Sequence, residues 1–341
     1  MNKITFVNVA GFFGSGSSAA VDLLKEFKDF YECDAEIRFI KDPYGVSQLE
    51  NVLINQWELV NSAAAIADFR ELCMKACRRG GKNPFAKAGL GYRKSITPDF
   101  MEIVDQYIDK LTDYTYQGDY YHFKFKKTYL KYVIDRIRFA VEYYSNGKIK
   151  AANRSLRPLC FSHPSQERFN EATQWFMETL FQNHNKGTNH SYILLDQAIS
   201  PNNPDVIHRY FRDAKMIIVD RDPRDTFVNE YFAICYIDND YNSVEGGRRY
   251  AMRQRALRSG LVEDPNILKI NFEDLIIHYE ESKKTIADFL NIPLENHLYP
   301  KKFLKPEVSI KNIGLWKKYY NDFKYTIDTI EKEIPELCYN I

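Results

Sequence analysis

The chain opens with an apolar, β-branched run, Ile4-Thr5-Phe6-Val7-Asn8-Val9-Ala10. A turn rich in glycine and serine follows, Gly11-Phe12-Phe13-Gly14-Ser15-Gly16-Ser17-Ser18, and then Ala19-Ala20-Val21-Asp22-Leu23-Leu24 carries its apolar residues at helical spacing. This order predicts strand, loop and helix. Asp34-Ala35-Glu36-Ile37-Arg38-Phe39-Ile40 alternates like a second strand, and Lys41-Asp42-Pro43-Tyr44-Gly45 reads as the loop that ends it. Ser47-Gln48-Leu49-Glu50 has the spacing of a capping box, so a helix is expected to start there. Strand, helix, strand is the opening of a parallel α/β sheet.

From about residue 55 to 190 the pattern is mostly helical. Thr97-Pro98-Asp99 is a helix start, and Phe100, Ile103, Val104, Tyr107, Ile108 and Leu111 recur on one face. Two loops here are basic, Arg78-Arg79-Gly80-Gly81-Lys82 and Gly91-Tyr92-Arg93-Lys94. Tyr114 to Tyr132 interleaves aromatics with Lys124, Lys126 and Lys127, which reads as a solvated face over packed rings, or as a cap that contacts a ligand.

Strand patterns return with Tyr192-Ile193-Leu194-Leu195-Asp196 and Lys215-Met216-Ile217-Ile218-Val219-Asp220. The second opens onto Arg221-Asp222-Pro223-Arg224-Asp225, where Asp222 is a helix cap and Pro223 a first-turn residue. Arg221 therefore stands at a strand's C-terminal end beside a helix N-terminus, the edge along which open α/β sheets bind ligands. Ile267-Leu268-Lys269-Ile270 predicts one more strand, Glu280 to Leu290 a helix, and the tail a final amphipathic helix.

Composition narrows the picture. The 341 residues suffice for one large domain. Lys plus Arg is 47 against 46 for Asp plus Glu, a net charge of +1, which argues against a general nucleic-acid binder. Six cysteines make no zinc set and read as reduced thiols of a cytoplasmic protein. No run is long enough to span a membrane. The first apolar run, broken by Asn8, reads as a buried strand rather than an export signal.

The glycine-serine turn suits a phosphate, because successive backbone N–H groups converge beside a positive helix end. Three patterns compete for it. Gly11, Gly16 and Ser18 fit the Walker spacing, but Ser17 stands in the lysine position. Gly14-Ser15-Gly16-Ser17-Ser18-Ala19 fits the dinucleotide fingerprint, with Glu32 or Asp34 as the acidic residue downstream. Gly11, Ser15, Gly16, Ser17 and Ser18 fit the sulfotransferase loop, with Gly14 in its basic position.

Taken in order, these segments resemble the sulfotransferases that use 3′-phosphoadenosine 5′-phosphosulfate (PAPS). Ile217 to Asp225 is similar to that family's apolar strand ending in R-D-P-R-D. Ile267 to Leu275 is similar to its strand with Y-E-D-L, Phe289-Leu290-Asn291-Ile292 echoes F-L-G-[IL], and Gly314-Leu315-Trp316 resembles its late G-x-W. The resemblance covers the first 45 or so residues and about 190 to 320, and none is read in the middle. It implies an α/β, P-loop-type three-layer fold with a central parallel sheet and a large helical insertion. That is one domain over 1–341, with 55–190 as a mostly helical insertion or acceptor-binding cap.

The resemblance also implies site residues. Gly14, Ser15, Gly16, Ser17 and Ser18 would hold the donor's 5′-phosphate, and Arg221, Asn229 (a serine in the family) and Lys311 its 3′-phosphate. PAPS is then the donor and PAP the product, with no metal. Glu36 matches a glutamate that serves as base in the carbohydrate-acting branch. The family's two cations are replaced by Gly14 and Gln197, so Arg38 or Lys41 is assigned the missing charge. The expected partner is a small-molecule or glycan acceptor, with a saccharide or glycolipid favoured by the aromatic middle. The rival readings are a P-loop kinase or other nucleotide-dependent transferase, against which Ser17 speaks, and a catalytically silent descendant that binds a nucleotide or partner. An NAD-binding reading comes last, because nothing downstream supports hydride chemistry.

Overall fold

In a computed structural model, described over residues 4–28, 30–32, 36–78, 89–150, 157–182, 191–233 and 238–340, the first apolar run becomes the middle strand of the sheet. The strands are β1 (Thr5–Gly11), β2 (Phe30–Glu32), β3 (Tyr114–Gly118), β4 (Arg157–Phe161), β5 (Tyr192–Asp196), β6 (Ala214–Asp220) and β7 (Ile267–Asn271). Five of them form one sheet in the order β2-β5-β1-β6-β7, with every pairing parallel. Such a sheet must bury both faces, and β1 shows it: Phe6, Val7, Val9 and Ala10 are all buried. On one face Val7, Val9, Leu194, Ile217 and Val219 pack against the helices Ser17–Leu24, Phe272–Ile277 and Tyr279–Leu290. On the other, the ring of Phe6 meets Phe181 and Phe211. Asn8, the polar break in the run, is also buried. Its side chain donates to the Ile199 carbonyl and accepts from the Ile199 N–H, so it ties β1 to the exit of β5.

The register sets where each loop emerges. Val9 lies opposite Asp196, Gly11 opposite Val219, and Asp220 opposite Asn271. The turns after β1, β5, β6 and β7 therefore leave from one edge of the sheet. This is the α/β architecture expected, with a central parallel sheet.

The second strand is a correction. It lies at Phe30–Glu32, and residues 36–40 form no strand. The alternation there misled because Ile37, Phe39 and Ile40 are all fully buried, whereas a one-sided strand would bury every other residue. The expected capping box is also displaced. The helix begins at Val46 after Gly45, and Gln48 reaches back to accept from the Tyr44 N–H.

The described chain divides into two compact units: Met1–Arg38, Lys94–Thr97 and Met177–Ile341 form one, and Phe39–Arg93 with Pro98–Phe176 the other. The first carries the sheet. The second is largely helical and includes the helices Leu59–Ala76, Phe100–Leu111 and Tyr129–Tyr144. The helix at Phe100–Leu111 buries the six residues read from its periodicity. Phe39, Tyr92, Phe100 and Phe176 pack edge-on or tilted in this unit's core, and Tyr107 stacks on Phe176 at 4.5 Å. β3 and β4 form a two-stranded antiparallel sheet across a long helical connection, a pairing that the sequence pattern does not indicate. The aromatics of Tyr114 to Tyr132 do not lie beneath a solvated face. Phe123 is buried, but Tyr114, Tyr121, Phe125 and Tyr129 are exposed, and Lys126 and Lys127 pair with Asp68 and Asp135. The basic loop at 78–82 lies outside the described residues except for Arg78.

Candidate active site

The turn after β1 is held open by two left-handed glycines. Gly14 has φ +69° and Gly16 φ +79°, a region that side chains with a Cβ rarely adopt. Gly16 also lacks room, and Gly14 is crowded by a side chain. A Cβ on Gly14 would stand 2.9 Å from the Asn229 amide nitrogen, and one on Gly16 would stand 2.6 Å from the Phe272 ring. The left-handed backbone at Gly14 disfavours the basic residue that the resemblance implies at position 14, while the Asn229 amide is a side-chain tip that can move aside. The helix Ser17–Leu24 follows with no side-chain cap, so its first N–H groups have no side-chain acceptor there. The Ser15 hydroxyl is buried without a partner.

Gln197, after β5, takes a left-handed φ of +56°, and its side-chain amide donates to the Ser17 hydroxyl at 2.8 Å. Its own N–H donates to the Val9 carbonyl, extending the sheet pairing by one residue. In the sequence Gln197 shows only as the absence of a lysine. Its contact with the loop depends on a strand pairing 180 residues away in sequence.

Arg221, just past β6, is the hub. It is 5 % exposed, and burial lowers its pKa, against the nearby carboxylates of Asp225, Glu273 and Asp222. Its guanidinium donates to the Gly14 carbonyl at 3.0 Å and to the Asn312 carbonyl at 2.6 Å, and it stacks over Phe272 at 5.0 Å. Its Nε–H is buried with no partner.

Around this cation the backbone is pinned by buried acids. The Asp222 side chain caps the helix Pro223–Phe232 by accepting from the Arg224 N–H, with Pro223 in the first turn as read from the sequence. Glu273 accepts from the Asp222 N–H at 3.0 Å, and burial pushes its carboxyl up to about 7. Asp225, fully buried, accepts from the N–H groups of Gly314 and Trp316 at 2.8 and 2.9 Å. That bond pair fixes the late Gly314-Leu315-Trp316 segment onto the helix.

The structure thus brings together the loop from Gly14 to Ser18, Arg221, Asn229 and the turn Ile310–Asn312, which carries the exposed Lys311. Glu36 and Arg38 pair with one another at 2.9 Å on the surface of the same unit, in an irregular segment after β2 and not at a strand end. Lys41 belongs to the other unit. Asp34 lies outside the described residues. Among the described residues no cluster of His, Cys, Asp and Glu is arranged to hold a metal ion, and no helix is long and apolar enough to cross a membrane.

Every feature an anion would use is present on one edge: convergent left-handed glycines, an open helix start, an unpartnered hydroxyl and a desolvated guanidinium with a spare N–H. The sequence model of the Sulfotransferase family matches residues 109–296. The match begins in the helical middle and does not include the glycine-serine loop. No curated protein matches the chain. Among solved structures, the sulfotransferase domain of the Synechococcus olefin synthase aligns at 14 % identity and TM-score 0.44, over 100 % of this chain and 96 % of its own. A Mycobacterium tuberculosis sulfotransferase aligns at 10 % identity and TM-score 0.40, covering 99 % and 78 %. A retinol dehydratase in complex with androsterone and the inactive cofactor PAP aligns at 14 % identity and TM-score 0.32, covering 99 % and 84 %.

Proposed function

Because this chain belongs to the sulfotransferase family, whose sequence model matches more than half of it, we propose that it moves a sulfuryl group from PAPS to a hydroxyl or amine of a saccharide or glycolipid. The observation that carries the donor assignment is Arg221. One desolvated guanidinium joins the glycine-serine loop to the C-terminal turn and keeps an N–H without a partner.

In this reading the N–H groups from Gly14 to Ser18 and the Ser17 hydroxyl hold the 5′-phosphate, while Arg221, Asn229 and Lys311 hold the 3′-phosphate. Gln197 orients the Ser17 hydroxyl toward that role. Bound PAPS supplies the sulfuryl group and a phosphate leaving group. By analogy with phosphoryl transfer, catalysis is then mostly positioning and charge stabilisation. Glu36 takes the acceptor's proton, Arg38 orients the Glu36 carboxylate through their ion pair, and Arg38 or Lys41 offsets the developing charge. The helical segment within 55–190 serves as the acceptor-binding cap of a single functional domain. The sparse thiols, free where described at Cys73, Cys77, Cys160 and Cys338, favour work in the cytoplasm.

The test is incubation with radiolabelled PAPS and separate pools of glycans, glycolipids and small phenols. Label should enter the saccharide-bearing pools, and Glu36→Gln should lower the rate by about a hundredfold or more. Label only in the phenol pool overturns the acceptor, and a Glu36→Gln rate equal to wild type removes Glu36 from the chemistry. Tight PAP binding without transfer to any pool identifies the silent descendant, which Gly14 and Gln197 favour. Dependence on Mg·ATP would identify a kinase.

A further inference from the structure

β1 and β6 run side by side as far as Gly11 and Val219, where their pairing ends. Past that point the glycine-serine loop leaves from Phe12 and the arginine turn from Asp220, so their spacing is set by side chains and no longer by the ladder. Arg221 makes one such tie, from its guanidinium to the Gly14 carbonyl. It does so beside Phe272, which packs with Ile217 and Val219 on one face of the sheet. Side chains alternate along a strand, so Asp220 points to the opposite face from Val219.

On that opposite face a second arginine waits. Arg258 ends the helix Val244–Arg258. Its Nε–H donates to Asp220 Oδ2 at 2.9 Å and its Nη2 to Asp220 Oδ1 at 2.5 Å, a fork on one carboxylate. The same Oδ1 accepts from the Arg221 backbone N–H at 2.7 Å. The Arg258 guanidinium also lies over the Phe12 ring at 4.4 Å. Phe12 is buried, and its carbonyl accepts from the Ser15 N–H at 2.8 Å, which closes the turn of the loop. Nη1 donates to the carbonyl and the side-chain oxygen of Gln254, at 3.0 and 2.6 Å, and so fixes the plane of the fork. An exposed ion pair would hold little, but the Arg258 side chain is only 8 % exposed. Four of its five N–H groups are spent inside the protein, so it acts through its neighbours and not on a ligand.

We infer that Arg258 is a positioning residue of the donor site, acting through Asp220 on the backbone of Arg221 and through Phe12 on the glycine-serine loop. The inference rests on the assignment of Arg221 to the donor's 3′-phosphate. Two arginines then clamp the loop to the turn, one from each face of the sheet, and only Arg221 meets the ligand. The clamp works by shape. Charge alone acts in the other direction at Asp220, because a carboxylate next to an anion site repels the anion.

Isothermal titration of the full chain with PAP, and with adenosine 5′-phosphate, which lacks the 3′-phosphate, tests this. Arg258→Lys keeps the charge but not the fork, and should weaken PAP binding by about tenfold. Asp220→Asn removes a negative charge, so charge alone would tighten PAP. Loss of the fork should instead weaken PAP by about tenfold and leave adenosine 5′-phosphate within about twofold, because the stack on Phe12 is kept. A general loss of stability weakens both ligands alike, so their ratio separates positioning from bulk folding. Three results overturn the inference and leave the donor reading standing: Arg258→Lys binding PAP as wild type does, Asp220→Asn binding it as tightly or more tightly, or Asp220→Asn losing both ligands equally. A wild type that binds no PAP overturns the donor reading, and this inference with it.

Discussion

At the scale of the residue, Arg221 carries the most weight. Two of its N–H groups reach carbonyls on different segments, Gly14 and Asn312, and a third lies buried without a partner. A lysine offers a point charge and not a planar fork, so it cannot span the two carbonyls. Arg221→Lys should therefore weaken PAP binding by about tenfold or more in isothermal titration, even with the charge kept. An unchanged affinity would take Arg221 out of the donor site. Glu273 makes a separate prediction. Its carboxyl ordinarily titrates near 4.5 and is pushed to about 7 by burial, with the Asp222 N–H opposing. Its folded-state pKa is raised, so its contribution to stability is whole below about pH 4.5 and is lost as pH climbs through 7. The loss is roughly 3 kcal/mol at most. Glu273→Gln cannot ionise and keeps an acceptor for the Asp222 N–H. Urea midpoints should then show it gaining on the wild type between pH 5 and pH 8, and a gap that does not change with pH would contradict the assignment.

Between elements, the coupling runs through Asp225. It sits on the helix Pro223–Phe232 and accepts from Gly314 and Trp316, so one fully buried carboxylate docks the tail onto the strand-end helix. Removing it leaves two N–H groups without their acceptor and Arg221 without a carboxylate 3.9 Å away. Asp225→Ala should cost about 2–5 kcal/mol in chemical denaturation. It should also loosen PAP binding, since the carbonyl that Arg221 grips, Asn312, lies just before the released segment. Asp225→Asn keeps one acceptor and should lose less. Equal losses would show that the charge matters more than the two hydrogen bonds.

Across the whole molecule, the residues assigned to the donor all lie in one of the two units, the one with the sheet. Donor binding should therefore stabilise that unit selectively. With PAP at a hundred times its dissociation constant the gain is about 2.7 kcal/mol, visible as a higher melting temperature with or without EDTA. Hydrogen exchange should slow in the loop after β1, the helix Pro223–Phe232 and the segment near Gly314. It should be unaltered in the helices Leu59–Ala76 and Phe100–Leu111. Protection centred on the helical unit would place the ligand elsewhere.

The sequence by itself determined what short-range physics controls. An apolar run ending in glycine and serine had to be a strand, a turn and a helix. Aspartate before proline had to cap what followed Arg221, and the face of Phe100–Leu111 was legible in its period. Local pattern does not tell a two-sided burial from an alternating strand, so 34–40 reads as the second strand, which lies at Phe30–Glu32. Only the tertiary structure decided that Gln197 touches Ser17, that Asn229 faces Gly14 and that Arg221 bridges to Asn312. The reason is the parallel register: it carries turns nearly two hundred residues apart to one edge of the sheet, and a linear sequence holds no measure of that distance.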